Sequence, residues 1–188
     1  MKRQARIAAL SASVVVDAAG KRGALPAAIR RLTGTGVVGG PAVTARCGPR
    51  SAEAMFHALE TAGPGAVLCV TGEGEWAYFG EISATTAVAR EVAAVVVDGY
   101  VRDVEGLERL GLSVFARGTT PVGGSRTHPG EVGVTLRIGE VEVAPGDWLV
   151  GDADGVVAVP AAELEATLAR AEELARAEAK LLARLGSS

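Results

Sequence analysis

The chain has 188 residues, 48% of them hydrophobic and 22% charged, with 25 glycines and a formal net charge of −3. That length suits one domain around a single core, and the apolar content excludes wholesale disorder. The basic residues are scattered, so no electrostatic footprint for direct nucleic-acid binding or for an acidic membrane surface is expected.

The opening at 1–6 is basic and runs into apolar residues at 7–10. Ser11, Ser13 and Asp17 interrupt it before the hydrophobic region of an export signal has formed, and no apolar run approaches the ~20 residues that span a bilayer. A cytoplasmic protein without a membrane partner is expected. Cys47 and Cys69 lack metal spacing and sit in strand-like apolar contexts, so they read as small buried residues.

Ser13 is placed to cap a short helix over 13–19, and a second helical piece is read around 26–32. β-branched residues then mark a strand over 37–47. Ser51 caps a helix over 52–62, with Met55, Ala58, Leu59 and Ala62 on one face, His57 off it, and Gly63 as its stop. Continuous apolar runs at 66–71 and 94–98 read as strands covered on both faces, joined by a crossover helix over 82–91. A helix over 104–110 and a strand over 114–117 repeat that unit in weaker form. Strand patterns at 132–138, 141–143, 148–150 and 156–159 follow, separated by hairpin-like turns. Pro160 opens a long helix, about 161–185, with Leu164, Leu168, Leu174, Leu181 and Leu185 as its apolar stripe. The expected fold is α/β, a single domain over 1–188 with a central mixed sheet and flanking helices.

Residue types restrict the chemistry. Lys2, Lys21 and Lys180 are the only lysines, and none is placed to become the desolvated amine of a Schiff-base enzyme. His57 and His128 are the only histidines, too few for a histidine-built zinc site. Metal chemistry would have to use carboxylates and water. The string GTGVVG at 34–39 matches a dinucleotide-binding loop, but Pro41 and a strand follow it where a helix is required, so it reads as a glycine-rich turn. Phosphate-loop and nucleophile-elbow motifs are missing, which leaves Ser125 as a loop residue.

The informative stretch is Gly80, Glu81, Ile82 and Ser83 at the opening of one helix, followed by Arg102 and Asp103 just beyond a buried strand. Ends of parallel strands gather loops into a crevice, and a helix amino terminus offers free N–H groups to an anion. An adjacent Arg and Asp can divide labour there, the guanidinium gripping a carboxylate and the carboxylate anchoring a hard cation.

Glu81, twenty intervening residues and then Arg102-Asp103 resembles the D-x20-R-D signature of the RraA-like family, which includes divalent-metal-dependent pyruvate aldolases acting on 4-hydroxy-4-methyl-2-oxoglutarate and the regulator of ribonuclease activity A. Further stretches at 23–30, 40–44, 97–103, 145–147 and 151–160 carry the same resemblance. It implies a swivelling β/β/α domain and a homotrimer or hexamer with the site between subunits. It also implies that Arg102 binds the keto acid with the Gly80, Ile82 and Ser83 backbone, that Asp103 holds Mg²⁺ or Mn²⁺, and that Glu81 orients metal-bound water. The implied reaction is retro-aldol cleavage or oxaloacetate decarboxylation through a pyruvate enolate. Glu81 departs from the usual aspartate by one methylene, and Trp76, Tyr78 and Phe79 place aromatics beside the site, as core or as an apolar wall. His128 reads as a solvated loop residue that can alternatively reach a pocket. Two other roles stand beside the lyase: a non-catalytic regulator binding ribonuclease E or an associated protein, and a recruited relative with altered substrate.

Overall fold

The computed structural model describes residues 2–186, so both ends of the expected 1–188 domain lie outside the described residues. Helices α1 (Lys2–Ile7) and α2 (Ala12–Ala18) precede strands β1 (Arg30–Thr33) and β2 (Val38–Arg46). The middle of the chain supplies α3 (Glu53–Thr61), β3 (Val67–Thr71), β4 (Ala77–Phe79), α4 (Glu81–Ala89), β5 (Ala94–Val101), α5 (Val104–Arg109) and β6 (Ser113–Thr119). Short strands β7 (Glu131–Val132), β8 (Leu136–Ile138), β9 (Val141–Val143), β10 (Trp148–Gly151) and β11 (Val156–Val159) follow. One 3-10 turn (Ala161–Glu163) then leads into α6 (Leu164–Leu185).

The main sheet runs β1-β6-β5-β3-β2-β10-β11, with β4 added to β5 and β7 to β2. Strands β2, β3, β5 and β6 are parallel, while β1, β10 and β11 pair antiparallel with their neighbours. Strand alternation sorts the core into layers. Leu68 and Val70 of β3 and Val95 and Val97 of β5 face Met55, Ala58 and Leu59 of α3, Ala84 and Ala87 of α4, and Leu107 of α5. Their neighbours Val67, Cys69, Ala94 and Val96 point the other way, onto Leu136, Ile138 and Val143 of the β8–β9 ribbon. Ribbon, sheet and helices therefore stack as β/β/α. A third cluster fastens α1, α2 and α6 to β10 and β11, with Ile7, Val15, Leu164 and Leu168 against Trp148, Val150 and Val159. Among the described residues no helix is long and apolar enough to cross a membrane.

Several local expectations change. Ser11, not Ser13, caps α2 by accepting the Val14 N–H at 3.3 Å. Residues 26–32 are not helical: one turn after Pro26 leads into β1, whose residues gain ladder partners on β6 while Ile29 is buried beneath the sheet. Pairing and burial outweigh a weak local preference there. Ser51 lies one residue before the N-cap position, held by Ala52, so its hydroxyl accepts only the first N–H of α3, that of Glu53 at 3.4 Å, while it donates to the His128 carbonyl at 2.8 Å. The run 132–138 is not one strand; it breaks at Gly133, with φ of +70°, as the chain leaves β2 for the ribbon. Leu164 and Leu168 are buried, but Leu181 and Leu185 are 56% and 65% exposed, so only the first half of the expected stripe docks. The glycine string at 34–39 forms the turn between β1 and β2 and the first two residues of β2, and no helix opens at it.

Candidate functional site

Two chain crossings at the carboxyl edge of the sheet build the site. The Arg102 N–H donates to the Phe79 carbonyl at 3.0 Å, tying the end of β5 to the end of β4. Asp103 follows in the left-handed region, φ +57° and ψ +41°, where an aspartate is better tolerated than most residues. Its carbonyl accepts the Leu107 N–H, so the turn that exposes the carboxylate also starts α5. Beside it, β4 passes through Gly80 straight into α4. The Ser83 hydroxyl locks that entry by donating to the Gly80 carbonyl at 2.8 Å and accepting its N–H at 3.0 Å. A Cβ on Gly80 would lie 2.7 Å from Asp103 Oδ2 and 3.0 Å from Arg102 Cγ, so a glycine is what lets both side chains lie across the start of α4.

Gly80, Ile82, Ser83, Arg102 and Asp103 line one cleft of about 570 Å³, part of it open to solvent. Met55, Phe56, Tyr78 and Phe79 add an apolar wall, and the 123–126 loop lines the cleft as well. That loop is pinned rather than free: Gly124 N–H donates to the Ala77 carbonyl, Ala77 N–H to that of Val122, and Ala52 N–H to that of Ser125. The Arg102 guanidinium fills the space a side chain on Gly123 would take, with Nη1 2.4 Å from that Cβ position. Tyr78 and Phe79 are at once core residues and cleft wall, while Trp76 is half-buried with Arg50 stacked 4.7 Å above its ring. The aromatic cluster thus serves both purposes, and β4 is a strand that its short pattern conceals.

Asp103 Oδ2 accepts the Glu81 N–H at 3.2 Å and lies 3.5 Å from Arg102 Nε. Both side chains keep about two-fifths of their surface exposed, 43% for Arg102 and 42% for Asp103, so each can meet a ligand. The amides of Ile82 and Ser83 sit in the first turn of α4, where a helix leaves N–H groups without intrahelical acceptors. The Glu81 carboxylate does not line this cleft. It reaches along α5 to pair with Arg109 at 3.0 Å. His128 is exposed and anchored through its backbone to Ser51, and it does not line the cleft. The Ser125 hydroxyl is engaged with the Arg50 carbonyl and Thr127, with no base beside it.

Arg126 is a cleft residue that sequence reading misses. Its Nε donates to Glu53 at 2.8 Å, and its guanidinium stacks 4.4 Å over Phe56. That hydrogen bond holds the Glu53 carboxyl below the ordinary carboxylate range, with His57 adding a smaller pull. The only advance signal is a glycine-rich loop beyond a parallel strand.

No group of three or more His, Cys, Asp or Glu side chains forms a ready-made metal cage among the described residues. The donor present still fits a hard divalent cation of the magnesium type, which binds through one or two carboxylates and fills its remaining positions with water and substrate oxygens. Asp103 offers such a carboxylate at the cleft, partly exposed and anchored through one oxygen.

A three-layer α/β domain whose cleft brings guanidinium, carboxylate and helix amino terminus together is suited to a small anionic ligand. The chain belongs to the RraA-like family, whose model, described as Aldolase/RraA, matches residues 12–158. A protein of Halalkalibacterium halodurans described as "Putative 4-hydroxy-4-methyl-2-oxoglutarate aldolase" is 33% identical over 151 residues, covering 79% of this chain and 72% of that one. The crystal structure of Streptomyces coelicolor RraAS2, described as an unusual member of the RNase ES inhibitor RraA protein family, superposes with a TM-score of 0.87 at 26% identity, over 97% of this chain and 98% of that one. The RNA-processing inhibitor RraA from Thermus thermophilis gives a TM-score of 0.73 at 32% identity, over 79% and 92%.

Proposed function

We propose that this chain is a divalent-cation-dependent lyase that cleaves a 2-oxo dicarboxylic acid through a pyruvate enolate, as in 4-hydroxy-4-methyl-2-oxoglutarate cleavage or oxaloacetate decarboxylation. The observation that carries this reading is the convergence of Arg102, Asp103 and the first turn of α4 on one cleft. Arg102 presents a planar fork to the substrate carboxylate and the adjoining 2-oxo oxygen. The Ile82 and Ser83 N–H groups donate to the remaining carboxylate oxygen, aided by the positive end of the helix. Asp103 would hold Mg²⁺ or Mn²⁺, which when bound would supply Lewis acidity for the negative charge that develops on the 2-oxo oxygen. The apolar wall of Met55, Phe56 and Phe79 lowers the local dielectric, which strengthens the pull of Arg102 on that developing charge. The cleft lining holds neither Lys nor His, consistent with an enolate route that needs no Schiff base.

The test is a lactate-dehydrogenase-coupled assay of pyruvate release over a panel of 2-oxo acids with and without Mn²⁺. Turnover should require the metal, vanish with EDTA, and fall at least a hundredfold in Arg102→Ala and Asp103→Ala, in line with the loss of a group that stabilises developing charge. Metal-independent turnover, or unaffected variants, overturns the reading. A homotrimer or hexamer accompanies this proposal, covering Ile82, an apolar side chain left 75% exposed at the cleft. Light scattering distinguishes these assemblies from a monomer. The names of the two structural relatives favour a second reading, a non-catalytic regulator that binds ribonuclease E or an associated protein. It predicts partner capture that survives Asp103→Ala, with no pyruvate formed from any substrate.

A further inference from the structure

The Glu81 carboxylate is stored away from the carboxylate next to which its own backbone lies. Its N–H donates to Asp103 Oδ2, yet its side chain runs over α5 to Arg109, with Oε1 3.0 Å from Nη2. The route is prepared by a glycine. Gly106 is buried within α5, and a Cβ there would stand 2.5 Å from Glu81 Cδ and 2.7 Å from Oε2. A glycine inside a helix is a poor choice for the helix itself. Here it leaves the groove in which the Glu81 side chain lies. The extra methylene of glutamate over aspartate supplies the reach to the last residue of α5.

We propose that Arg109 and Gly106 are positioning residues that hold Glu81 out of the cation shell at Asp103, so that the cation is held by one carboxylate until the Arg109 pair opens and Glu81 swings in as the second. This rests on the reading that Asp103 binds the cation. The pair is exposed, 64% at Arg109 and 46% at Glu81, so it is weak enough to exchange with a cation. Cation affinity in the resting protein is therefore lowered by the cost of breaking the pair, and Arg109 tunes it without touching metal or substrate.

The experiment is Mn²⁺ binding to the full chain, read from the electron paramagnetic resonance signal of free Mn²⁺, without substrate. Arg109→Met and Gly106→Ala should each tighten binding by about threefold, the range an exposed ion pair can supply. Gly106→Ala evicts the Glu81 side chain while keeping the Arg109 charge, and alanine favours the helix, so the two variants reach the same end by different means. In a Glu81→Gln background both effects should vanish. Tightening by Arg109→Met that persists in Glu81→Gln, with none from Gly106→Ala, shows a simple loss of nearby positive charge and overturns the proposal, as does unchanged affinity in both single variants. Asp103→Asn separates the two levels. If it abolishes binding while the Arg109 and Gly106 variants do nothing, the storage idea alone fails. If wild type binds no Mn²⁺, or Asp103→Asn binds as well as wild type, the cation site and the storage idea fall together.

Discussion

Arg126 brings a second guanidinium to the cleft that Arg102 lines, and it is held there by Glu53 on one side and the Phe56 ring on the other. With Nε engaged by Glu53, the Nη groups remain available, which suits them to the distal carboxylate of a dicarboxylic substrate. Arg126→Ala should raise KM for a dicarboxylic 2-oxo acid roughly tenfold or more, since a hydrogen bond to a charged group contributes about 1.5–3 kcal/mol. Steady-state kinetics should show kcat nearly unchanged. An equal loss on a substrate without the second carboxylate would mean that Arg126 acts only by bracing α3. Gly123 makes a complementary case. Its Cβ position is occupied by the Arg102 guanidinium, so Gly123→Ala should displace Arg102 and depress kcat/KM at least tenfold, with thermal unfolding shifted by no more than a few degrees. The motif at 80–83 and 102–103 makes five of these cleft residues legible in the sequence because strand end, helix start and charge coincide locally. Arg126 is not legible in that way. It comes to the cleft only because its loop bonds to residues 50–52 and 77, contacts no local pattern encodes.

At the level of elements, legibility follows burial. The strands at 66–71 and 94–98 read clearly because both faces are covered and every position must be apolar, and the structure pairs them in register, Leu68 with Val95 and Val70 with Val97. β1 does not read as a strand because an edge strand carrying two arginines has no apolar alternation, and only β6 makes it extended. β4 is three residues long and is defined by distant chain, β5 on one side and the 122–124 loop on the other. The start of α2 depends equally on distant chain. Asp152 Oδ2 accepts the Ala12 N–H at 2.8 Å and Oδ1 accepts that of Asp154 at 2.9 Å, so one buried carboxylate closes the β10–β11 turn and anchors a helix start. Asp152→Ala leaves both donors without it and should cost about 1–3 kcal/mol, read as a fall in Tm of roughly 3–10 °C by calorimetry. Burial also governs the thiols. It pushes Cys47 up to about 11 and Cys69 up to about 12, so both stay protonated well above neutral pH. Ellman's reagent at pH 8 should react with neither in the folded protein and with both once guanidinium unfolds it.

Across the whole molecule, the terminal helices close one side of the sheet by two different means. Ile7, Val15, Leu164 and Leu168 bury apolar surface on β10 and β11, and around that seam Arg3 and Arg6 of α1 pair with Glu165 and Glu172 of α6. Hydrogen bonds from Arg3 and Arg6 hold Glu165 below the ordinary carboxylate range, and one from Arg6 does the same for Glu172. A carboxyl depressed in the folded state contributes stability that is present above its unfolded value, near 4.3, and is lost as pH falls through the lower folded value. The seam should therefore loosen in acid, below about pH 4, before the parallel core does, because among the described residues no ion pair crosses the interface of α3 and α4 with β3 and β5. The pairs lie at the surface, so salt weakens them too. In a Trp76→Phe protein the remaining Trp148, seated beneath the seam, should change its fluorescence between pH 5 and pH 3 while far-ultraviolet circular dichroism from the rest of the fold holds. Arg6→Gln should move that transition toward neutral pH, because Glu172 loses its bonded cation and Glu165 keeps only Arg3. A transition that coincides with global unfolding, or one that Arg6→Gln leaves in place, would show that the apolar seam alone sets the docking and that the arginines are ornamental to it.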